Sequence, residues 1–486
     1  MRATKRPPRS RQREAGFSII ELVVALLISV EILIGAAIAF DVHNRIAHVQ
    51  LQVTDMQQSQ RIAQYDLVRA VRTAGRGGLP LDLRPDAVFN ASPPAQQSVE
   101  LQGLAIEVRN NVSGNDTYIA RGDNTSPQAL SGTDILTVRG CISTQLFQAD
   151  LNSLQPTAND ATDHARTLTL YQHDNAVETE VHQDLVSLRS ELQNYVAGSN
   201  YYGQMIIVGT QGRTVYGVGT ITGYSDADYP NSLALTLSTT NTDATSSNPL
   251  SPINPLDPGA TLQGQRSFPD NMTSVLACYL EEYRYYIRQE YEIPGNSASG
   301  LHPRLSRARF EPGTEQPYLA DTQNFKLDLA DELIDLQVAL GLDTDYCEGC
   351  SIGTSPGAFD DDDNVDGPDD VLWEDTTTGG APEHDDWLYN SSRDDPMDTL
   401  YVTHGGTFQP GNAVKLYFVR VTTVARTAKG DPDYAAPNFS NALDSGTDAI
   451  EDHDYNSGFF TLFKSEINRK HRHRVLTTLI APRNVS

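Results

Sequence analysis

Residues 17–40 form a predominantly apolar stretch, FSIIELVVALLISVEILIGAAIAF, which follows a basic segment ending in Ala15-Gly16. A helix of this length, at about 1.5 Å per residue, reaches across a bilayer core of about 30 Å. We therefore expect one membrane helix here. Glu21 and Glu31 interrupt its apolar character. Because a carboxylate at membrane depth costs roughly 2.5–3.5 kcal/mol on insertion scales, the sequence predicts that Glu21 has a partner.

The segment before this stretch and the rest of the chain differ in charge. The first sixteen residues contain six basic side chains and one acidic side chain, whereas the whole chain has a formal net charge of −27. The positive-inside rule predicts that the basic leader stays in the cytoplasm and that the C-terminal body crosses the membrane. An acidic body repels phosphate backbones, which argues against a nucleic-acid partner.

The helix is predicted to continue well beyond the apolar stretch, because no proline occurs between Phe17 and Gly78. Apolar side chains then recur at helical spacing on an otherwise polar sequence: Ile46, Val49, Val53, Met56, Ala63, Leu67, Ala70, Val71 and Ala74. A cluster of helix-ending residues follows: Gly75, Gly77, Gly78 and Pro80. We therefore divide the N-terminal region into a leader at 1–16, a membrane helix at 17–40 and an amphipathic continuation at 41–76.

The junction Gly16-Phe17-Ser18-Ile19-Ile20-Glu21 resembles the type III signal of type IV pilins and type II secretion pseudopilins. In that family a Gly precedes the cleavage site, Phe follows it, and Glu is the fifth residue of the mature chain. The resemblance implies that a prepilin peptidase cuts after Gly16 and methylates the new N-terminus at Phe17. It also implies that Glu21 neutralises the N-terminal amine of a neighbouring subunit in a filament. Glu31 departs from the family's apolar pattern.

Four later stretches are similar to the PilW-type minor pilins, so that the resemblance extends from the leader to the last residues, with insertions between. They are 60–75 at the end of the helix, the strand-like GTDILTVR at 132–139, LADELIDLQVALGLD at 329–343 and the closing RHRVLTTLIAPRN at 472–484. The N-terminal match is the specific one, and the others are looser.

Read from composition alone, the body is β-rich. Short runs of β-branched and aromatic residues are separated by Gly, Pro, Asn, Asp and Ser clusters, at 101–108, 134–139, 167–171, 203–209, 232–238, 280–288, 414–425 and 475–480. The stretch 329–340 is the one further candidate for a helix. These patterns predict an α+β fold, in which a long N-terminal helix packs on a large antiparallel β-rich domain at 77–486. Residues 239–258 are predicted to form an exposed loop or an internal boundary.

An acidic insert at 343–398 contains eighteen acidic residues and one basic residue. Within it, 362–367 match D-x-[DN]-x-[DN]-G, the start of an EF-hand-like calcium loop. Asp362, Asn364, Asp366 and Asp370 are the candidate Ca²⁺ ligands, but Trp373 stands where a bidentate Glu is expected. A shorter loop closed by another acid, and a merely solvated acidic loop, are both compatible with this pattern.

The four cysteines are too few for a disulfide scaffold. Cys347 and Cys350 form a C-x-x-C pair, whereas Cys141 and Cys278 stand apart. A zinc ribbon requires a second close pair. If the body is exported, disulfides Cys347–Cys350 and Cys141–Cys278 are favoured, and free buried thiols are the alternative.

No catalytic constellation is evident. The stretch 353–357 matches G-x-S-x-G, but a nucleophile elbow needs a strand before it and a helix after it, and this match lies in an acidic loop with Pro356 beside the serine. We therefore expect a non-enzymatic protein. The resemblance implies a minor pilin that acts in pilus assembly initiation or in a tip complex. Its implied partners are other minor and major pilins, the prepilin peptidase and the inner-membrane assembly platform.

The resemblance also implies a location. The body would lie in the periplasm of a bacterium before assembly, anchored in the inner membrane, and in an extracellular pilus afterwards. A minor pseudopilin of type II secretion and a calcium-dependent tip adhesin are the alternatives.

Overall fold

The fold is given by a computed structural model of the whole chain. It describes residues 18–77, 101–102, 105–109, 112, 129–130, 133–143, 146–150, 165–171, 182–194, 204–210, 214–229, 231–238, 275–288, 293, 302–310, 312, 326–343, 386–389, 415–431 and 470–482. The chain divides into two compact units, Met1–Asp55 and Met56–Ser486. The first unit is helical in its described part, and the second contains the end of the same helix and all described strands.

Helix α1 spans Ile19–Thr73 without interruption. The sequence favours this length because the stretch lacks proline, and the one glycine in it, Gly35, has open space around it. The helix ends at Thr73, and Gly75 and Gly77, which follow it, have φ angles of +69° and +98°. Glycine adopts this left-handed conformation without the steric penalty of a side chain, and so it commonly ends a helix.

Six antiparallel strands form the first sheet, in the order β1-β2-β3-β10-β11-β12. Their bounds are Leu101–Gln102 for β1, Ile106–Arg109 for β2, Ile135–Gly140 for β3, Glu281–Arg288 for β10, Arg304–Phe310 for β11 and Lys326–Asp331 for β12. One face contains an apolar cluster formed by Val112, Ala129, Ile135, Tyr286, Ala308 and Phe310.

The second sheet has four antiparallel strands in the order β14-β13-β15-β16. They are β13 (Leu333–Asp343), β14 (Asp386–Tyr389), β15 (Lys415–Arg426) and β16 (His473–Ile480). The prediction of a helix at 329–340 was wrong, because this stretch forms the end of β12 and most of β13. Strand β13 lies between β14 and β15, and residues 333–340 are all buried. Burial on both faces therefore requires apolar residues at nearly every position, and their helix-like spacing is incidental.

A closed six-stranded barrel, in the order β4-β5-β8-β7-β6-β9, forms the third β-structure. Its strands are β4 (Phe147–Asp150), β5 (Ala165–Tyr171), β6 (Gln204–Thr210), β7 (Thr214–Ser225), β8 (Ser232–Ser238) and β9 (Val275–Tyr279). Helix α2, His182–Asn194, contributes Leu185, Leu188 and Leu192 to a core shared with barrel residues such as Leu168 and Leu235. The barrel thus has an apolar core of its own.

The barrel is an insertion in the first sheet. Strands β3 and β10 pair directly, with Gly140 opposite Glu281, and the whole barrel lies between them in sequence. Cys141 and Cys278, at the points where the chain leaves and re-enters the sheet, form a disulfide with a Cα–Cα distance of 6.0 Å. The disulfide therefore links the two chain segments that connect the barrel to the first sheet.

The described architecture is α+β, with one long N-terminal helix and a large body of antiparallel strands. Strands occupy all eight β-rich runs noted in the sequence, and β8 has the bounds that its run has. The direct pairing of β3 with β10 separates the barrel from the rest of the body, a division that the sequence did not reveal.

Candidate assembly helix and its anchorage

Helix α1 begins with a reciprocal pair of side chain to backbone hydrogen bonds. The backbone N–H of Ser18 donates to Oε2 of Glu21 over 3.0 Å, and the N–H of Ile20 donates to Oγ of Ser18 over 3.3 Å. Together they form a capping box, which satisfies amides that have no partner within the helix. The positive end of the helix dipole also favours a carboxylate in the first turn. Glu21 is therefore compensated in part by its own helix.

The first part of α1 exposes its apolar side chains. Those that are exposed between 19 and 40 are Ile19, Ile20, Leu22, Val23, Val24, Leu26, Leu27, Ile28, Val30, Ile32, Leu33, Ile34, Ile38 and Phe40. The helix is long and apolar enough to cross a bilayer, and so large an apolar surface requires lipid or protein around it. Glu31 lies on this part of the helix, is exposed, and makes no ion pair with any described residue.

The second part of α1 is anchored on the body by one face. Its buried residues are Met56, Gln60, Ala63, Gln64, Leu67, Ala70 and Val71. The two glutamines donate from Nε2 to the second sheet: Gln60 to the carbonyls of Thr423 and Arg474 (3.1 and 3.2 Å), and Gln64 to Oγ1 of Thr423 and the carbonyl of Leu476 (3.1 and 3.2 Å). These bonds join the helix to strands β15 and β16.

An ion pair joins the same helix to the first sheet. The guanidinium of Arg307, on β11, lies 3.4 Å from Oδ2 of Asp66 and 4.9 Å from the ring centroid of Tyr283. Burial raises the pKa of the neighbouring Tyr285 phenol well above its ordinary value, and this tyrosine therefore stays neutral. Helix α1 is thus fixed to both sheets by polar contacts as well as by apolar packing.

The end of α1 is held against the start of the barrel insertion. The N–H of Gly75 donates to the carbonyl of Arg139 over 2.9 Å, and the N–H of Cys141 donates to the carbonyl of Arg76 over 2.8 Å. Gly77 lies against the disulfide, since a Cβ built there would come within 2.1 Å of Sγ of Cys141 and 2.5 Å of Sγ of Cys278. Only glycine fits this position without a shift of the disulfide.

Four charged side chains lie buried on one face of the first sheet. Nε of Arg139 donates to Oε2 of Glu282 over 2.6 Å, and its Nη2 pairs with Glu107. Nε of Arg284 donates to Oε1 of Glu282 over 2.7 Å, and its guanidinium lies 3.8 Å from the ring centroid of Phe310. Removing one member would leave a buried charge unpaired, which typically costs about 3–5 kcal/mol. The cluster therefore favours one register of β2, β3 and β10.

The two sheets are joined where β12 turns into β13. Glu332 has a φ of +58°, is buried, and accepts hydrogen bonds from His302 and from Nε of Arg426, the latter over 2.7 Å. Its carbonyl also accepts the N–H of Arg426 over 3.0 Å. A left-handed non-glycine residue is disfavoured, and its three polar contacts offset this cost. Glu332 thereby connects the first sheet to the second.

Asp134, immediately before β3, forms a second connection between the sheets. It is fully buried, and its Oδ2 accepts the N–H of Val338 over 2.8 Å. Its own N–H donates to the carbonyl of Leu336 over 2.9 Å. The segments GTDILTVR and LADELIDLQVALGLD therefore meet in the structure, although they lie about two hundred residues apart.

Two histidines near this junction have pKa values displaced in opposite directions. The hydrogen bond to Glu332 raises the pKa of His302. Burial, aided by the positive fields of His471 and Arg426, lowers the pKa of His473 to about 4. Near neutral pH, His473 is therefore uncharged, whereas the contact with Glu332 stabilises the charged form of His302.

The predicted site residues fall into two groups. Glu21 lies in the first turn of α1 and accepts the N–H of Ser18, and Cys141 and Cys278 form a disulfide. The residues outside the described part of the chain are Gly16, Phe17, Cys347, Cys350, Asp362, Asn364, Asp366 and Asp370. Among the residues that the structure does describe, no group of three or more His, Cys, Asp or Glu side chains is placed to hold a metal ion.

Several residues that shape the helix and its anchorage were not singled out from the sequence. The Ser18 cap was readable, because Ser18-Ile19-Ile20-Glu21 has the S-x-x-E spacing of a capping box. Gln60, Gln64 and Glu332 had no such signal, because their importance depends on partners more than a hundred residues away, or on a backbone conformation that sequence does not specify.

Comparisons with known proteins do not assign this architecture. No protein-family model matches the chain, and neither a curated protein nor a solved structure matches it. Functional inference therefore depends on the residues and their geometry.

Proposed function

We propose that the chain is a minor pilin of the PilW type, processed after Gly16 and incorporated in a type IV pilus through helix α1. The observation that supports this most directly is that the two parts of one helix have different surroundings. Its first part exposes an apolar surface, and its last part is buried on the β-rich body. This arrangement suits a subunit that is stored in a membrane and then transferred into a bundle of helices.

In this proposal the role is structural. Before assembly, α1 anchors the subunit in the inner membrane with its body in the periplasm, and the prepilin peptidase removes the leader. Other minor pilins, major pilins and the assembly platform then receive the helix. Transfer from lipid into a helix bundle yields little hydrophobic gain, because lipid tails are as apolar as the side chains that they contact. Polar contacts within the bundle therefore determine which helices associate and in what register.

Glu21 is the residue best placed to provide such a contact. Ser18 occupies one of its carboxylate oxygens, but an ionised carboxylate has about four acceptor sites. The charged N-terminal amine of a neighbouring processed subunit could therefore bind without breaking the cap. Its approach would neutralise a carboxylate that costs roughly 2.5–3.5 kcal/mol at membrane depth.

The test compares Glu21→Gln with Glu21→Ala. Gln keeps an acceptor for the N–H of Ser18 and loses the charge, whereas Ala loses both. We expect both variants to be processed normally, as measured by the mass of the mature chain, and both to be reduced at least tenfold in sheared filaments. Filament number per cell should fall in both.

Glu31→Gln is the matched control, since it removes the other carboxylate from the same helix, and we expect normal incorporation. A Glu21→Gln variant that assembles as the parent does would contradict the proposed charge pairing. If cleavage after Gly16 failed to occur in the parent chain, the assignment to the pilin class would itself be wrong.

A further inference from the structure

Helix α1 has a basic surface on the part of it that is anchored to the body. Four arginines, Arg61, Arg69, Arg72 and Arg76, are exposed there together with Tyr65, which is 72% exposed. We call these five residues the basic stripe. Their spacings are four, four, three and four residues, so that they fall within an arc of about 80° on the helix and its first C-terminal turn.

The basic stripe lies opposite the face that packs on the sheets. At about 100° per residue, the buried residues from Met56 to Ala74 centre about 160° away from it. The side chains of the arginines therefore do not hold the helix to the body, although the backbone carbonyl of Arg76 accepts the N–H of Cys141. Between Arg61 and Arg76 the one acidic residue is Asp66, which faces away from the stripe and pairs with Arg307.

None of the four arginines makes an ion pair or hydrogen bond through its side chain with any residue in the described part of the chain. Basic residues in the last turn interact favourably with the helix dipole, by about 0.3–1 kcal/mol each and within that turn only. The helix dipole accounts for an arginine at position 72, which lies in the last turn, but not for the exposed Arg61 and Tyr65, which lie before that turn. The stripe is thus a row of four like charges with an exposed phenol among them.

The chain also contains a segment of complementary charge. Residues 344–385, which lie outside the described part of the chain, belong to the acidic insert, and 357–376 alone contain nine Asp or Glu residues and no Lys or Arg. We propose that this acidic segment of the same chain binds along the basic stripe. Carboxylates would pair with the guanidinium groups, which bind them in a planar two-bond geometry. This inference does not depend on the proposed pilus function.

The segment is long enough to reach the stripe. Its ends are fixed at Asp343 and Asp386, which pair in β13 and β14. Strand β13 also contains Leu336, the partner of Thr423, which Gln64 of α1 contacts. Asp343 is thus seven residues, about 23 Å, from the point where the helix crosses the sheet. Half of a 42-residue loop spans about 25 Å as a random coil and up to about 70 Å extended.

A membrane surface is a weaker candidate for the same charges. Twenty residues separate Phe40 from Arg61, and twenty helical residues extend about 30 Å. Attraction by anionic headgroups falls off within a Debye length of about 8–10 Å at physiological salt. The observations therefore favour the acidic segment.

The experiment uses the full chain in detergent and a variant in which residues 344–385 are replaced by a four-residue Gly/Ser linker between Asp343 and Asp386. The probe is a fluorescent peptide of residues 357–376, measured by anisotropy with EDTA present. We expect the deletion variant to bind the peptide at least tenfold more tightly than the full chain, whose own segment competes. Because Debye screening shortens from about 10 Å to about 3 Å between 0.1 and 1 M salt, binding should weaken strongly over that range.

Arg69→Glu with Arg72→Glu, introduced in the deletion variant, should reduce peptide affinity at least tenfold. Arg45→Glu with Lys429→Glu is the matched control, because it makes the same change in net charge at exposed positions outside the stripe, and binding should persist. A milder Arg69→Gln with Arg72→Gln pair tests the site if charge reversal impairs folding, which circular dichroism would reveal.

Four outcomes would overturn the proposal. Equal binding of the peptide to the full chain and to the deletion variant would mean that the stripe is free for another partner. Binding to neither would mean that the stripe does not accept acidic segments. Dimers of the full chain that dissociate in high salt, seen by sedimentation, would assign the segment to a second copy. Preferential binding of the parent chain, but not the Arg variants, to anionic vesicles would favour lipid instead.

Discussion

Among single residues, the buried polar side chains at the sheet junction respond most directly to solution conditions. Glu332 binds both His302 and Arg426, and His473 lies in the positive field of Arg426. The carboxylate therefore stabilises the charged form of one histidine, whereas burial and the neighbouring cations disfavour the charged form of the other. The two histidines should give the folding free energy opposite dependences on pH.

We predict that His473 makes the protein less stable as the pH falls from about 6.5 to about 4. Its pKa is about 4 in the folded state and about 6.5 in an unfolded chain, so the unfolded state binds more protons in that window. Linkage then lowers the free energy of unfolding by up to about 3 kcal/mol. Urea unfolding of the parent and of His473→Gln at pH 4.5 and 6.5 measures this, and the variant should show a smaller difference.

His302 acts in a different window and provides the control. Its raised pKa contributes stability that is fully present below about pH 6.5 and is lost as the pH rises through the folded-state pKa. His302→Gln should therefore change how the free energy of unfolding varies with pH above pH 6.5, and leave its variation between pH 4.5 and 6.5 unchanged. An NMR titration in which His473 in the folded protein protonates near pH 6.5 would contradict the prediction.

The charge of Glu21 was predicted to need a partner, but its cap was not predicted, although the S-x-x-E spacing indicates one. The burial of Glu107, Arg139, Glu282 and Arg284 could not be predicted, because charged residues are mostly exposed and nothing local marks these four as exceptions. Their burial depends on the pairing of β3 with β10, strands that are separated by the whole barrel insertion.

At the scale of elements, helix α1 was the most predictable part of the chain. Gly75 and Gly77 follow the end of the helix as expected, whereas Gly78 and Pro80 lie outside the described residues. Six of the nine predicted apolar stripe residues are buried, from Met56 to Ala74, and Ile46 is exposed. The wrong prediction of a helix at 329–340, most of which forms β13, rests on the same spacing of apolar residues that predicted α1. The spacing of apolar residues identifies a helix or strand that has one solvated face, but it does not identify a central strand that is buried on both faces.

We predict that Gly77→Ala destabilises the end of α1. The new Cβ would meet both sulfur atoms of the disulfide at 2.1 and 2.5 Å, and alanine in a left-handed conformation costs roughly 1–2 kcal/mol in addition. The free energy of unfolding, measured with urea under non-reducing conditions, should fall by about 3 kcal/mol or more.

The steric and backbone contributions can be separated by repeating Gly77→Ala in a chain that carries Cys141→Ala and Cys278→Ala. With the sulfur atoms gone, the added cost of Gly77→Ala should shrink to the backbone penalty of roughly 1–2 kcal/mol. An equal cost in the two backgrounds would show that contact with the disulfide is not the cause.

At the scale of the whole molecule, the body is an assembly of two joined sheets and an inserted barrel. Members of the barrel core all lie between Phe147 and Tyr279, and the described core of the first sheet is separate from it. Sequence patterns predicted most of the strands but not this division, because strand pairing over long separations leaves no local trace. The loop suggested at 239–258 lies within the insertion, between β8 and β9, and its own residues are outside the described part of the chain.

The independence of the barrel leads to a prediction about the whole chain. Replacing residues 144–276 with a four-residue Gly/Ser linker keeps Ser143, which donates to Glu281, and keeps the disulfide, whose Cα atoms are 6.0 Å apart. Because β3 and β10 pair without help from the barrel, both sheets and the anchored part of α1 should fold. Hydrogen exchange should show amide protection in β3, β10 and β15 within about tenfold of the parent.

The disulfide determines how the shortened chain should be interpreted. In the parent it closes a loop with a sequence separation of 137 residues, for which chain-entropy estimates give close to 5 kcal/mol; in the shortened chain the loop is small and the contribution is correspondingly less. Adding Cys141→Ala and Cys278→Ala should therefore destabilise the parent more than the shortened chain. Loss of protection in β3 and β10 on excision, with the disulfide intact, would mean that the barrel is required to hold the first sheet together.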